Sequence, residues 1–437
     1  MAPKRMESFW QKTAELPQFP TAEGDLRTDV LVIGGGFAGL LTAYLLQQKG
    51  VRVTVLEKGR VFSGVSEKTT AKITVQHGLI YHKIEKQYSL EAAQKYLQAN
   101  CAAFQAYRKL CADIDCGYET KDNYVYTTDD PAALEKEMTV LQRMNAPARF
   151  CASVPLPIET AGAICFPNQA QFHPVRFIAG IVPQLDVREH TFVRALEDKS
   201  VVTDCGRIYA DTIVVATHFP FVNNHGAFFL KLYQHRSYVL ALCNAQNVDG
   251  MYVDDSKTGL SFRNADDLLL LGGGDHRTGK KGGNWNELEQ FSKAHYPNAV
   301  EQYRWAAQDC MSLDGMPYIG RYAKSTPNLY VATGFNKWGV TGSMTAAMIL
   351  SDLILGKDNP YAPLFSPARS MCTPQLFLNT LETAVSFLTP TAKRCPHLGC
   401  ALKWNPAERS WDCSCHGSRF SEDEKLLDNP ANGDLKR

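Results

Sequence analysis

Val30–Ile33 is a continuous apolar run fit for a buried parallel strand, and a stretch with helical spacing of apolar positions follows from Ala38 to Gln48. A second strand at Val51–Leu56 completes a βαβ unit. Between residues 89 and 111, Ala93, Tyr96, Leu97, Cys101 and Phe104 fall on one helical face behind Ser89 as N-cap, which places Cys101 and Cys111 in the core. Asp130-Pro131 opens a further helix. Ala210–Ala216 reads as a return to the first sheet, whereas residues 222–305 alternate in the manner of an antiparallel sheet, as in Ser237–Cys243 and Leu268–Gly274. Asn328–Gly356 then gives strand, glycine-bearing loop and helix again.

This order predicts an α/β protein whose nucleotide-binding domain is interrupted. Its first part covers 28–221, with a helical excursion at about 85–150, an inserted substrate sheet occupies 222–305, and the last part covers 306–357. A proline-rich linker, 358–371, leads to a small C-terminal β/loop unit at 372–437, where Leu376–Leu388 reads as a helix.

Composition narrows the classes. The 437 residues hold 46 Lys+Arg against 45 Asp+Glu, so there is no basic field to attract nucleic acid. No run approaches the ~18 apolar residues of a membrane span, and the basic start of the chain has no apolar signal core behind it. A cytoplasmic address is expected. Four of the 13 cysteines crowd into the last tenth of the chain beside two histidines, and in a reducing compartment that clustering favours metal ligation.

Gly34-x-Gly36-x-x-Gly39 sits between the first strand and helix, and Glu57 ends the next strand 18 residues after Gly39. Such glycines let a pyrophosphate approach the helix N-terminus, and the acid accepts a ribose hydroxyl while repelling a 2′-phosphate. NADP is disfavoured; FAD and NAD both remain. A second glycine loop, Gly334–Gly342, could place helix N–H groups beside the pyrimidine end of a flavin.

Together with Glu57-Lys58, Thr69–Lys72, Val193, Val214–Pro220, Leu313–Arg321 and Tyr330–Thr341, these motifs resemble the amino-acid-oxidase-like (DAO) flavoproteins over residues 28–355. The resemblance implies an FAD-binding Rossmann-like domain. It assigns FAD contacts to Gly34, Gly36, Gly39, Glu57, Lys58, Thr69, Thr70, Val193, Ala216, Gly334, Trp338, Gly339 and Thr341. Substrate residues do not transfer from the family. The candidates are Arg236, Tyr238 and His276, from the segments His235–Tyr238 and Asp275–Arg277, since an Arg fork clamps a carboxylate and a His or Tyr shuttles a proton. For each the alternative is a strand-end polar residue. His77 is either flavin-linked or ordinary turn packing, and Trp338 either flavin contact or core.

Cys395-x-His397 and Cys413-x-x-His416, 15 residues apart, supply two thiolates and two imidazoles, the ligand set of a Rieske 2Fe-2S cluster. A zinc knuckle is the competing reading. The tail, with its HLGC and CHGS sequences, resembles a Rieske domain. That resemblance implies a disulfide between Cys400 and Cys415 and a hydrogen bond from Ser418 to the cluster. Phe420 stands where high-potential members often have Tyr, which implies a lower potential. Strands expected before the first ligand loop are missing, so the flavin domain is expected to serve as a wall.

The combined expectation is an FAD-dependent oxidoreductase that takes hydride from a C–H bond beside an amine or hydroxyl of a small molecule. Single electrons then pass through the cluster to an external acceptor, a soluble carrier or oxygen. Two alternatives stay open: an oxygen-using oxidase with a structural tail, and a non-catalytic redox sensor.

Overall fold

The computed structural model describes residues 6–256, 259–391 and 393–435; Ala392 and the final two residues of the expected 372–437 unit lie outside it. Strands Leu329–Thr333, Gly206–Val215, Leu26–Ile33, Val53–Leu56 and Asp186–Arg188 lie side by side and parallel, with Tyr318–Arg321 antiparallel at one edge. Val30 to Ile33 are all buried, as a parallel sheet covered on both faces requires. Helices Phe37–Gln47 and Gly339–Ile354 pack on each other beside it, so the two glycine loops that start them open at the same end of the sheet.

A second sheet runs Val300–Ser312, Leu232–Cys243, Leu268–Arg277, Ser261–Ala265, Met251–Asp254, Glu119–Thr127, Gly162–Gln171 and Lys72–Ile73. Its antiparallel half comes from the region expected to hold the inserted sheet. The other half comes from earlier chain, and Met251–Asp254 pairs parallel with Glu119–Thr127 inside what reads as a helical excursion. Gly162–Gln171 shows no alternation, because its residues on both faces are buried except at Pro167 and Asn168.

Helix Leu90–Asp113 forms behind Ser89, whose hydroxyl accepts from the Ala92 amide. Cys111 is buried, but Cys101 is exposed, a correction to its expected core position. The reason is Asn100, which takes the inward position with its amide donating to Tyr96 O and its Oδ1 accepting from Thr345. The C-terminal unit is a four-stranded antiparallel sheet, Leu402–Asn405, Ser410–Cys413, Arg419–Ser421 and Leu426–Asp428, preceded by helix Pro374–Leu388. Among the described residues no helix is long and apolar enough to cross a membrane.

Candidate active site and metal centre

A cavity of about 730 Å³ separates the two large sheets. One end is the first glycine turn. A Cβ on Gly34 would lie 2.5 Å from Ala216 O, one on Gly36 2.8 Å from Ser66 Oγ, and one on Gly39 1.9 Å from Gly34 O. No side chain fits this cradle, so the backbone stays open to a phosphate. Glu57 accepts from the Gly35 amide at 2.9 Å and the Gly59 amide at 3.0 Å, one bond per oxygen, which leaves lone pairs for a ribose.

Lys58, Thr69, Thr70, Val193, Ala216, Trp338, Gly339 and Thr341 also line the cavity, whereas Gly39 and Gly334 stand behind it as packing positions. Thr341 bonds the Thr74 backbone on both sides, tying the second glycine loop to the segment after the second strand. His77 lines the wall, stacked on Trp338 with ring centroids 5.2 Å apart. Its Nδ1 lies 2.8 Å from Tyr96 Oη and its Nε2 2.9 Å from Thr74 O. Burial pushes it down to about 3, so it is neutral with both nitrogens engaged, as a packing residue would be.

The candidate substrate residues are drawn toward the C-terminal unit. Arg236 and Tyr238 line the cavity, but Arg236 forms a buried ion pair with Glu408, and Tyr238 donates to Glu408 Oε1 at 3.0 Å. Arg277 donates to Ser414 O at 2.9 Å and Cys415 O at 3.2 Å. His276 stacks on Tyr238 outside the cavity lining. Sequence reasoning missed Lys337, the single charge in the second glycine loop, held at φ 70°. It pairs with Asp275, and Ser237 donates to Asp309 Oδ2 at 2.7 Å beside them. Burial alone would push Lys337 down, yet Asp275 and Asp309 outweigh it and hold it above its ordinary value. Burial raises Asp309 against the pull of Lys337.

In the C-terminal unit the His397 and His416 rings stand perpendicular, 4.9 Å between centroids. Both Nδ1 atoms are buried without a hydrogen-bond partner, an arrangement costly unless a metal takes the lone pairs. Burial lowers His397 to about 4 and His416 to about 3, the neutral form that ligates. Cys395 is held below its ordinary value first by its hydrogen bond to Cys413, with Ser418 adding to it. Two thiols, two free imidazole nitrogens and the Ser418 hydroxyl therefore fit a two-iron centre.

The expected Cys400–Cys415 disulfide is absent, which corrects that expectation: both are free thiols, and no sulfur pair is within bonding distance. Cys400, Cys413 and Cys415 converge within 4.8 Å, and Cys400 shares hydrogen bonds with the other two instead of pairing covalently with one. Treating the holoprotein with dithiothreitol is accordingly expected to leave its thermal midpoint and cluster spectrum unchanged; a downward shift of several degrees would show a bridge.

The rings do not face open water. Phe219, completely buried, sits edge-on 6.4 Å from His397 and 6.2 Å from His416, and His397 Nε2 lies 3.1 Å from Asn223 Oδ1. Gln234 donates to His416 O at 2.7 Å, and Gln308 donates to Gly417 O at 2.8 Å. His218, in the cavity wall, meets Gln234 Oε1 at 3.1 Å. Leu426 to Asn429, with Ala431 and Asn432, form part of the cavity wall themselves. Among the described residues, the C-terminal unit's chain before its first ligand loop forms an isolated Arg394–Ala401 bridge and no strand, and Gln234 and Gln308 of the flavin-domain sheet brace the second ligand loop from the other side.

Residues 29–353 match the family described as FAD dependent oxidoreductase (DAO), and residues 387–437 match the Rieske [2Fe-2S] domain. A putative Rieske 2Fe-2S iron-sulfur protein of Bacillus subtilis is 30% identical, with 99% of this chain and 97% of the relative covered. Among solved structures, glycine oxidase from Geobacillus kaustophilus superposes with TM-score 0.67 at 19% identity, covering 79% of this chain and 100% of that one. L-proline dehydrogenase from P. horikoshii gives 0.65 at 17%, covering 79% and 98%. At these identities the two structures establish the fold.

Proposed function

Because the chain belongs to the DAO family of FAD dependent oxidoreductases and ends in a Rieske [2Fe-2S] domain, we propose that it oxidises the C–H bond beside an amine nitrogen of a small substrate and passes the electrons singly to the iron–sulfur centre. One observation carries this reading: the His416–Gly417 loop is hydrogen-bonded to the same strands that wall the flavin cavity. When bound, the flavin takes up two electrons with a hydride and the iron–sulfur pair takes one at a time.

The FAD pyrophosphate would lie on Gly34 and Gly36, its ribose on Glu57, and its ring end near Thr69, Thr70, Trp338, Gly339 and Thr341. Cys395 and Cys413 would hold one iron, and the Nδ1 atoms of His397 and His416 the other. Two carboxylates against one ammonium at Asp275, Asp309 and Lys337 suit a cationic amine. Asp309, raised by burial and fixed by Ser237, accepts the proton that leaves the substrate nitrogen. The related folds act on substrates of this kind by their names, glycine and L-proline. Thiols that are all unpaired among the described residues suit the cytoplasm, where we place the protein.

The test is anaerobic mixing of holoprotein with a panel of amines and amino acids while flavin and cluster absorption are followed. Bleaching of the flavin followed by reduction of the cluster is expected. Full turnover with peroxide formation in Cys413→Ser, or zinc in place of iron, would overturn the relay.

A further inference from the structure

Helix Pro374–Leu388 is turned inside out. Its inward face is polar: Asn379 accepts from Arg277 at 2.9 Å, Glu382 pairs with Lys280 at 2.5 Å, and Ser386 Oγ accepts from the Ala401 amide at 3.1 Å. Its outward face is apolar. Phe377, Leu378, Leu381, Val385, Phe387 and Leu388 are between 52% and 83% exposed. Leu398, beside the first ligand loop, extends the patch, since the neighbouring Gly399 packs on the Phe387 ring. An apolar surface of this extent marks a binding face.

We propose that this helix lies flat in the headgroup region of an anionic lipid bilayer and docks the protein reversibly on a membrane surface. Three observations favour lipid over protein. The Thr380 and Thr389 hydroxyls donate to Leu376 O and Val385 O inside the helix, so the face has almost no hydrogen bonding to give, whereas protein interfaces carry about one hydrogen bond per 100–200 Å². The ridge offers six large apolar side chains, while a stable interface uses about 20–30 residues a side. Charge at its C-terminal end is cationic, since exposed Arg394 caps the helix through Phe387 O and Thr389 O, and the helix's one charged residue, Glu382, is turned inward to Lys280. The face would lay Leu398, next to the expected iron ligand His397, along the membrane plane.

The experiment is co-sedimentation of full-length holoprotein with vesicles of phosphatidylglycerol and phosphatidylcholine, compared with a Leu381→Glu, Val385→Glu double variant. Both positions are exposed, and unchanged flavin and cluster absorption would establish that the variant folds. The wild type is expected to pellet with the vesicles and the double variant to bind at least tenfold more weakly. A wild type left in the supernatant overturns the proposal. So does equal binding by the variant, or a protein of twice the chain mass that the same substitutions make monomeric, which would assign the face to a second copy.

Discussion

Glu408→Gln is expected to loosen the C-terminal unit from the flavin domain and to cost about 3–5 kcal/mol, the usual range for breaking a buried pair by removing one partner. Glu408 sits between Arg236 of the second sheet and Arg419 of the C-terminal sheet, with Tyr238 donating to the same carboxylate. Arg419 keeps Asp412 and Asp428 when Glu408 is neutralised, but Arg236 is left without its carboxylate. The loss should therefore appear as separation of the two units, seen as an earlier urea transition for the C-terminal part and faster proteolysis near 358–371. Replacing Arg236 and Glu408 together with methionines should recover most of it, because an apolar pair of similar volume is often neutral. The lock is also pH-dependent. Burial alone would raise Glu408, but Arg236 and Arg419 outweigh it and hold it at about 2, against an ordinary 4.5. Its contribution is then complete above about pH 4.5 and fades as pH falls through about 2. A Glu408→Gln protein whose urea transition matches the wild type would remove the lock from this account.

What the sequence made legible is local. Gly34, Gly36, Gly39 and Glu57 fall within one βαβ unit, where spacing alone sets the geometry, and the Cys–His pairs lie within four residues of each other in each loop. Pairing across the chain was not legible. Arg236 and Tyr238 carry the chemistry of a substrate clamp, and nothing near them indicates Glu408, which arrives from the far side of a turn in the C-terminal sheet. The strand Glu119–Thr127 was hidden between two helices because both its sheet partners, Gly162–Gln171 and Met251–Asp254, come from later in the chain. For Pro374–Leu388 the helical period was readable, but periodicity says only that two faces differ. The usual assumption would bury the apolar one, and here Arg277, Lys280 and the Ala401 amide draw the polar one inward instead. The disulfide was an inference from kinship, and three converging thiols show why sequence proximity of cysteines does not decide pairing.

Gly39→Ala should yield a protein that no longer retains flavin, with FAD affinity lower by at least ~100-fold, or about 2.7 kcal/mol. The added methyl would stand 1.9 Å from Gly34 O, and that carbonyl belongs to the turn itself, so relief requires moving the helix away from the strand. Gly34→Ala should be nearly as severe, since Gly34 has φ 113° and its Cβ would meet Ala216 O at 2.5 Å. Gly36→Ala differs in kind. Its Cβ meets Ser66 Oγ at 2.8 Å, a side chain that can rotate away at the cost of the hydrogen bond it accepts from the Phe37 amide. A series graded Gly39, Gly34, Gly36 in flavin occupancy after purification would show that backbone clearance sets the affinity. Gly50→Ala supplies the control: it also has positive φ, 80°, but nothing lies within 4 Å of its Cβ, so it should lose only about 1–2 kcal/mol of stability and keep its flavin. Equal flavin loss in all four would instead mean that general destabilisation, and not the shape of the turn, releases the cofactor.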